Sequence, residues 1–78
     1  MLDAALEHLV KGIVDHPEAV RVVSRETTRG EVLEVRVEPS DLGRVIGRSG
    51  RTAKALRTVI GALADGRGVR VDVVDVDR

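Results

Sequence analysis

The segment from Val45 to Arg51 constrains the fold of this chain more than any other. It reads VIGRSGR, so Gly47 and Gly50 stand three residues apart, with an apolar stretch before them and a basic stretch after. A turn this short between two helices requires backbone conformations that glycine adopts with little strain. The segment therefore predicts two helices that meet at a tight turn over residues 47–50.

The same turn has the properties of an anion-binding loop. Glycines place no side chain between the backbone and a ligand, and the N–H groups at the start of the second helix point towards anions. Arg48 and Arg51 add positive charge at this place. The pattern favours contact with a nucleic-acid backbone, and the alternative is a pair of ordinary helix-capping glycines.

Charge is distributed unevenly along the chain, although the formal net charge is zero. Residues 43–68 contain six basic residues and one acidic residue, whereas residues 1–18 contain one basic and four acidic residues. A basic centre favours a polyanionic partner. A solvated helix face would produce the same pattern. The charge therefore adds to the evidence from the glycine turn for a nucleic-acid contact, but it is not sufficient evidence by itself.

Composition excludes several classes of protein. The chain contains no Phe, Trp or Tyr, which disfavours the RNA-binding folds that stack bases on aromatic side chains. It contains no Cys and only two His, His8 and His16, so no disulfide, metal site or other cofactor is expected. No apolar run is long enough for a membrane span or signal peptide, and a cytoplasmic location is expected.

The glycine-rich segment does not match the nucleotide-binding motifs of enzymes. Gly50 is followed by Arg51 and Thr52 and not by the Lys-Ser or Lys-Thr of a phosphate-binding loop. The spacing of Gly43, Gly47 and Gly50 does not fit Gly-x-Gly-x-x-Gly either. No nucleophile and base are spaced as a catalytic pair, so an enzyme is not expected.

Hydrophobic periodicity predicts six elements. Gly30 is expected to supply a positive φ between the first two strands, and Ser40 to cap the second helix. Leu56, Val59, Ile60 and Leu63 are expected to form the core stripe of the last helix. The predicted elements are a helix over 2–15, strands over 20–28 and 31–38, helices over 41–46 and 51–65, and a strand over 69–76.

This order, α-β-β-α-α-β, predicts an α+β fold. The hairpin makes the first two strands antiparallel, and the helical crossover is long enough to place the last strand parallel to the second. All helices are expected to cover one face of a three-stranded mixed sheet with strand 31–38 at its centre. A chain of 78 residues forms one small domain that gains stability from a partner subunit.

The element order and the Gly47–Gly50 segment resemble a type II KH domain over residues 1–78. The stretch from Glu38 to Arg57 is similar to the small single-KH bacterial RNA-binding proteins of the KhpA family. This resemblance implies a single-stranded RNA-binding protein, of the RNA chaperone or post-transcriptional regulator type, that clamps about four nucleotides over the loop. It also implies dimerisation, with a second copy or with a larger KH-containing protein, and no membrane partner.

Residue by residue, the resemblance implies a groove with two walls. Ile46, Ala53 and Leu56 would form an aliphatic floor, and Val71 to Val73 would offer backbone groups to the bases. The loop over 65–68 is short, which implies a shallow groove and weak, permissive binding. The expected RNA-binding residues are Arg44, Ile46, Gly47, Arg48, Ser49, Gly50, Arg51 and Lys54.

Two other functions compete with RNA binding. A DNA-binding helix-turn-helix would use the helices over 41–46 and 51–65, although the flanking strands argue against it. The second alternative is a protein-interaction or dimerisation subunit of a larger RNA-binding complex, with weak or no RNA binding of its own. Both alternatives keep the two predicted helices and differ from RNA binding only in the partner, which is DNA in the first and protein in the second.

Overall fold

A computed structural model describes residues 2–74 and contains one three-stranded sheet with strand order β1-β2-β3. The strands are β1 (Arg21–Thr27), β2 (Gly30–Arg36) and β3 (Val69–Val73). β1 pairs with β2 in antiparallel register and β2 pairs with β3 in parallel register. The predicted topology and the central position of the second strand are confirmed. Residues 75 and 76 of the predicted last strand lie outside the described residues.

The hairpin turn depends on Gly30. Its φ of +122° lies in the region that favours glycine, as predicted, and a Cβ at this position would lie 2.3 Å from the carbonyl oxygen of Gly68. The N–H of Glu31 donates to that oxygen at 2.8 Å. The glycine therefore lets the loop before β3 approach the hairpin closely.

Three α-helices, α1 (Leu2–Lys11), α2 (Leu42–Ile46) and α3 (Arg51–Ala64), complete the fold. Single 3₁₀ turns over Pro17–Ala19, Pro39–Asp41 and Arg48–Gly50 connect the elements. The element order α-β-β-α-α-β is that of a type II KH fold, as predicted. Among the residues that the structure describes, no helix is long and apolar enough to cross a membrane.

Two predictions about the helices are wrong, the end of α1 and the N-cap of α2. α1 ends at Lys11 and not at residue 15, because the Gly12 N–H bonds to the carbonyls of His8 and Leu9 and the chain then turns away. Ser40 does not cap α2. Asp41 is the N-cap residue, and its carboxylate bonds elsewhere.

The core lies between the helices and one face of the sheet. Leu33 and Val35 of β2 and Val71 of β3 are buried there, together with Leu6 and Ile60 from the helices. The opposite face of the sheet is mostly polar apart from Val23, and Arg25 forms an ion pair of 2.8 Å with Glu34 on it. The helices therefore cover one face, as the alternation in β2 predicts.

The predicted core stripe of α3 is half wrong. Leu56 and Ile60 are buried, but Val59 and Leu63 are 44% and 54% exposed, and Ala53 and Ala64 take their places in the core. Small residues at these positions let the helix pack closely on the sheet. Hydrophobicity alone favours the larger side chains for the core. The residues that are buried recur instead at every third or fourth position of α3, which places them on one face of the helix.

Candidate nucleic-acid interface

The turn between α2 and α3 has the backbone conformation that the two glycines predict. Gly47 has φ +77° and ψ 172°, and Gly50 has φ +75° and ψ 13°. The Gly47 N–H closes the end of α2 by donating to the Gly43 carbonyl at 2.8 Å, and the Gly50 N–H donates to the Gly47 carbonyl at 3.1 Å. The four residues 47–50 thus join α2 to α3 in a tight turn.

The two glycines are required for different reasons. The conformation of Gly47 is almost restricted to glycine, and a Cβ there would lie 2.3 Å from Oγ1 of Thr52. Gly50 is left-handed, but a Cβ there would meet nothing within 4 Å. Conformation and space both exclude a side chain at Gly47, whereas only conformation disfavours one at Gly50. The close approach of Thr52 to Gly47 was not predicted, because no sequence pattern marks a contact of this kind.

Ser49 is the third residue of this turn with positive φ, at +57°. Serine does not favour this conformation, so the turn is held by its neighbours rather than by local preference. Arg48 and Ser49 are both exposed. The turn therefore presents this pair of side chains to solvent, as the expected contacts to phosphate require.

α3 begins directly after the turn without a capping side chain. Its N-cap residue is Gly50, which has no side chain to bond to the first N–H groups of the helix. Arg51 and Lys54, both exposed, follow in the first helical turn. Backbone donors and two cations therefore stand together at one end of α3.

The expected aliphatic floor is smaller than predicted. Ile46 is 39% exposed at the end of α2 and is available to a ligand, but Ala53 and Leu56 are each 5% exposed. Leu56 belongs to the hydrophobic core cluster. Ile46 is thus the one predicted floor residue with a substantially exposed apolar side chain.

β3 forms one edge of the sheet, where the resemblance implies the second wall of a groove. Gly68 and Val74 direct their backbone groups towards β2, since the Gly68 carbonyl accepts from Glu31 and the Val74 N–H donates to Val35. Backbone direction alternates along a strand, so Val71 and Val73 point away from β2 and Asp72 points towards it. The backbone groups of Asp72, which were expected to contact bases, are therefore directed towards β2 within the sheet.

Arg57 of α3 reaches this edge and was missed by the sequence analysis. Its Nε donates to the carbonyl oxygen of Val71 at 3.1 Å. A signal was available, because Arg48, Arg51, Lys54 and Arg57 recur every three residues. Since one helical residue turns through about 100°, such a row shifts by about 60° at each step. This row of basic residues therefore leads around α3 from the glycine turn towards β3.

Arg44 lies on α2 and differs from the other predicted contacts. Its Nη2 lies 3.1 Å from Oδ2 of Asp15, and both side chains are more than half exposed. Exposed pairs of this kind contribute little to stability and exchange readily. The structure therefore groups Ile46, the glycine turn, Arg51 and Lys54 together, and places Arg44 in an ion pair beside them.

The start of α2 is held by a buried carboxylate. Asp41 is 1% exposed and accepts hydrogen bonds from the backbone N–H groups of Asp15 at 3.2 Å and His16 at 2.9 Å. His16 Nδ1 lies 3.0 Å from the same carboxylate. These bonds fix the short helix before the glycine turn to the segment after α1.

The same contacts change the pKa values of both side chains. The hydrogen bond to Asp41 raises the pKa of His16 above its ordinary 6.5. Burial acts to raise the pKa of Asp41, but the hydrogen bonds from Asp15 and His16 outweigh it and lower that pKa below 3.8. Both shifts favour an ionised carboxylate beside a protonated imidazole. Within residues 2–74, no cluster of His, Asp or Glu has the arrangement of a metal site.

Comparison with known proteins assigns this chain to a family. A family model described as "KhpA/KhpB, KH domain" matches residues 3–76. A protein of Leifsonia xyli named RNA-binding protein KhpA is 77% identical over 75 residues, which cover 96% of this chain and 99% of the relative. A Streptomyces coelicolor protein of the same name is 73% identical, covering 99% and 96%. One from Mycobacterium tuberculosis is 60% identical, covering 95% and 91%.

Proposed function

Since this chain belongs to the KhpA/KhpB family of KH domains, we propose that it binds single-stranded RNA and holds about four nucleotides across the Gly47–Gly50 turn. The observation that carries this proposal is the turn itself. Three of its four residues have positive φ, its two central side chains face solvent, and the next helix begins without a capping side chain. A phosphate group fits such a backbone concavity.

The proposed binding mode separates phosphate contacts from base contacts. The turn, Arg48, Arg51 and Lys54 would bind successive phosphates, which positions the RNA without selecting its sequence. Bases would lie against Ile46 and the free edge of β3. The chain has no aromatic side chain for stacking, so we expect weak binding with modest sequence preference.

The geometry supports this function over DNA recognition and over catalysis. α2 has only five residues, and α3 begins where the basic side chains gather, whereas a helix-turn-helix places a long recognition helix in the major groove. The matched family is named for RNA binding and not for a reaction, which supports a binding function over catalysis. We therefore propose a binding protein of the RNA chaperone or regulator type. The relatives are bacterial, and bacterial transcripts are made and used in the cytoplasm, where we place this function.

A second proposal concerns a partner subunit. Val59 and Leu63 are exposed on α3 and stand one helical turn apart. Arg57 lies about 120° to 160° around the helix from them. We propose that this apolar pair is the centre of an interface with a second copy or with a larger KH-containing protein. Such an interface leaves the groove beside β3 free, so pairing and RNA binding are compatible.

A competition titration tests the proposed nucleic acid. A labelled single-stranded RNA bound to the protein is challenged with unlabelled RNA, with single-stranded DNA of the same sequence and with duplex DNA. We expect RNA to compete best and duplex DNA worst. Displacement by duplex DNA at the lowest concentration would favour the helix-turn-helix alternative. No binding of any nucleic acid would favour the protein-interaction alternative.

A further inference from the structure

Arg57 and Val71 form a contact that changes what the free edge of β3 offers to a base. The Val71 backbone points away from β2, so its carbonyl and N–H both lie on the edge of the sheet, although the residue is buried. The carbonyl already accepts from Arg57 Nε at 3.1 Å. Among residues 2–74 this is the one hydrogen bond that the Arg57 guanidinium makes, so its terminal nitrogens keep their donors for a ligand.

The consequence is that this part of the edge presents hydrogen-bond donors. The terminal N–H groups of Arg57 donate, and a donor that approached the second lone pair of the Val71 carbonyl would meet the positive guanidinium beside it. Adenine needs an acceptor for its amino group at N6. Guanine presents two adjacent acceptors, O6 and N7, which match the fork of an arginine. The contact therefore favours guanine and disfavours adenine at this position.

We propose that Arg57 is a specificity-determining residue of the groove, which selects guanine over adenine by holding its positive guanidinium beside the Val71 carbonyl and donating to the base. This proposal rests on the proposed function, since it concerns the base that lies opposite Val71. Arg57 differs in this from Arg51 and Lys54. Those two cations stand at the start of α3, beside the turn that would hold phosphates, and have no contact with β3 among the described hydrogen bonds.

A purely structural role for Arg57 makes a different prediction. If the side chain only ties α3 to β3, its removal weakens the fold and lowers the affinity for every RNA by the same factor. The ratio of affinities for two RNAs, measured on one preparation, does not depend on the fraction of folded protein. This ratio is therefore the quantity that separates the two roles.

The test uses two RNAs of about eight nucleotides, twice the expected site, built on uridine with either two guanines or two adenines at the centre. Dissociation constants are measured by fluorescence anisotropy for the unchanged protein and for Arg57→Gln, Arg57→Lys and Lys54→Gln. Gln pairs with adenine through N6 and N7, and it is too short to keep the Val71 carbonyl occupied as Arg does. Lys keeps a donor to that carbonyl but has no fork.

We expect the unchanged protein to bind the guanine RNA about tenfold more tightly than the adenine RNA. Arg57→Gln should reverse this order, and Arg57→Lys should abolish the preference without reversing it. Lys54→Gln should weaken both RNAs equally. An unchanged ratio in both Arg57 variants, with RNA still bound, would overturn the role of Arg57 and leave the proposed function standing. Failure of the unchanged protein to bind either RNA would contradict the proposed function itself.

Discussion

His16 bonds to the carboxylate of Asp41 through two donors, its backbone N–H at 2.9 Å and its side-chain Nδ1 at 3.0 Å. The carboxylate is buried, whereas the imidazole is 46% exposed. The pair joins the chain before β1 to the N-cap residue of α2, twenty-five positions further on. The glycine turn therefore begins from a helix whose start is fixed by an ionisable contact.

The first prediction is a pH dependence of stability. The pKa of His16 is raised in the folded state, so its contribution is complete below about pH 6.5 and is lost as the pH rises through the higher folded value. The pKa of Asp41 is lowered, so its contribution is complete above about pH 3.8 and is lost as the pH falls through the lower folded value. The free energy of unfolding should be greatest between these limits.

Urea unfolding at a series of pH values measures this effect. We expect His16→Asn to lose the decline in stability above pH 6.5, because asparagine donates to Asp41 without titrating. His8→Asn is the matched control and should keep the decline, since His8 is exposed on α1 and has no contact with Asp41. The same pH profile in both variants would show that the pair does not titrate as described.

The second prediction separates the two glycines of the turn. Gly50→Ala should cost about 1 kcal/mol, because alanine is strained in the left-handed conformation but meets no atom. Gly47→Ala should cost about 3 kcal/mol or more, because it adds a clash with Thr52 to a conformation that is almost restricted to glycine. Urea unfolding gives both values. An equal cost at the two positions would contradict the contact between Gly47 and Thr52.

Parts of this fold follow from sequence patterns and parts do not. The alternation of Leu33, Val35 and Val37 and the glycines at 30, 47 and 50 predict the sheet, the hairpin and the turn, because each pattern acts over a few residues. The contact of Asp41 with His16 and that of Arg57 with Val71 join distant segments, and no local pattern encodes them.

The third prediction concerns salt. Binding to a single strand loses affinity with salt at a logarithmic slope of about −0.7 for each phosphate contact. Arg51→Ala and Lys54→Ala should each make the slope less steep by up to about 0.7. Lys11→Ala is the control, because Lys11 pairs with Glu7 on α1 and should leave the slope unchanged. Unchanged slopes in both α3 variants would mean that this face of the helix does not contact phosphates.

The fourth prediction concerns self-association. A charge at Leu63 or Val59 would be buried without a partner in the proposed interface, so Leu63→Glu and Val59→Glu should convert a dimer to monomers. Sedimentation at about 100 µM measures this, since the fraction of dimer depends on concentration. Thr58→Glu adds the same charge on another face of α3 and should remain dimeric. A monomeric unchanged protein at this concentration would contradict the interface between two copies.

The central claim, that the glycine turn holds RNA, is tested by changing the two side chains that the turn exposes. Arg48→Asp with Ser49→Asp changes the charge by −3 and keeps both glycines. Aspartate is tolerated at the positive φ of Ser49 better than most residues, so the fold should stay within about 0.5 kcal/mol. Thr28→Asp with Arg29→Asp makes the same change at the exposed hairpin turn between β1 and β2 and serves as the control.

The decisive measurement is the dissociation constant of each double variant for one single-stranded RNA, with circular dichroism as the check on folding. The account predicts that the variant at 48 and 49 binds at least about tenfold more weakly, because two carboxylates face the phosphates, while the variant at 28 and 29 binds within about threefold of the unchanged protein. Equal affinities for the unchanged protein and the variant at 48 and 49 would contradict the claim.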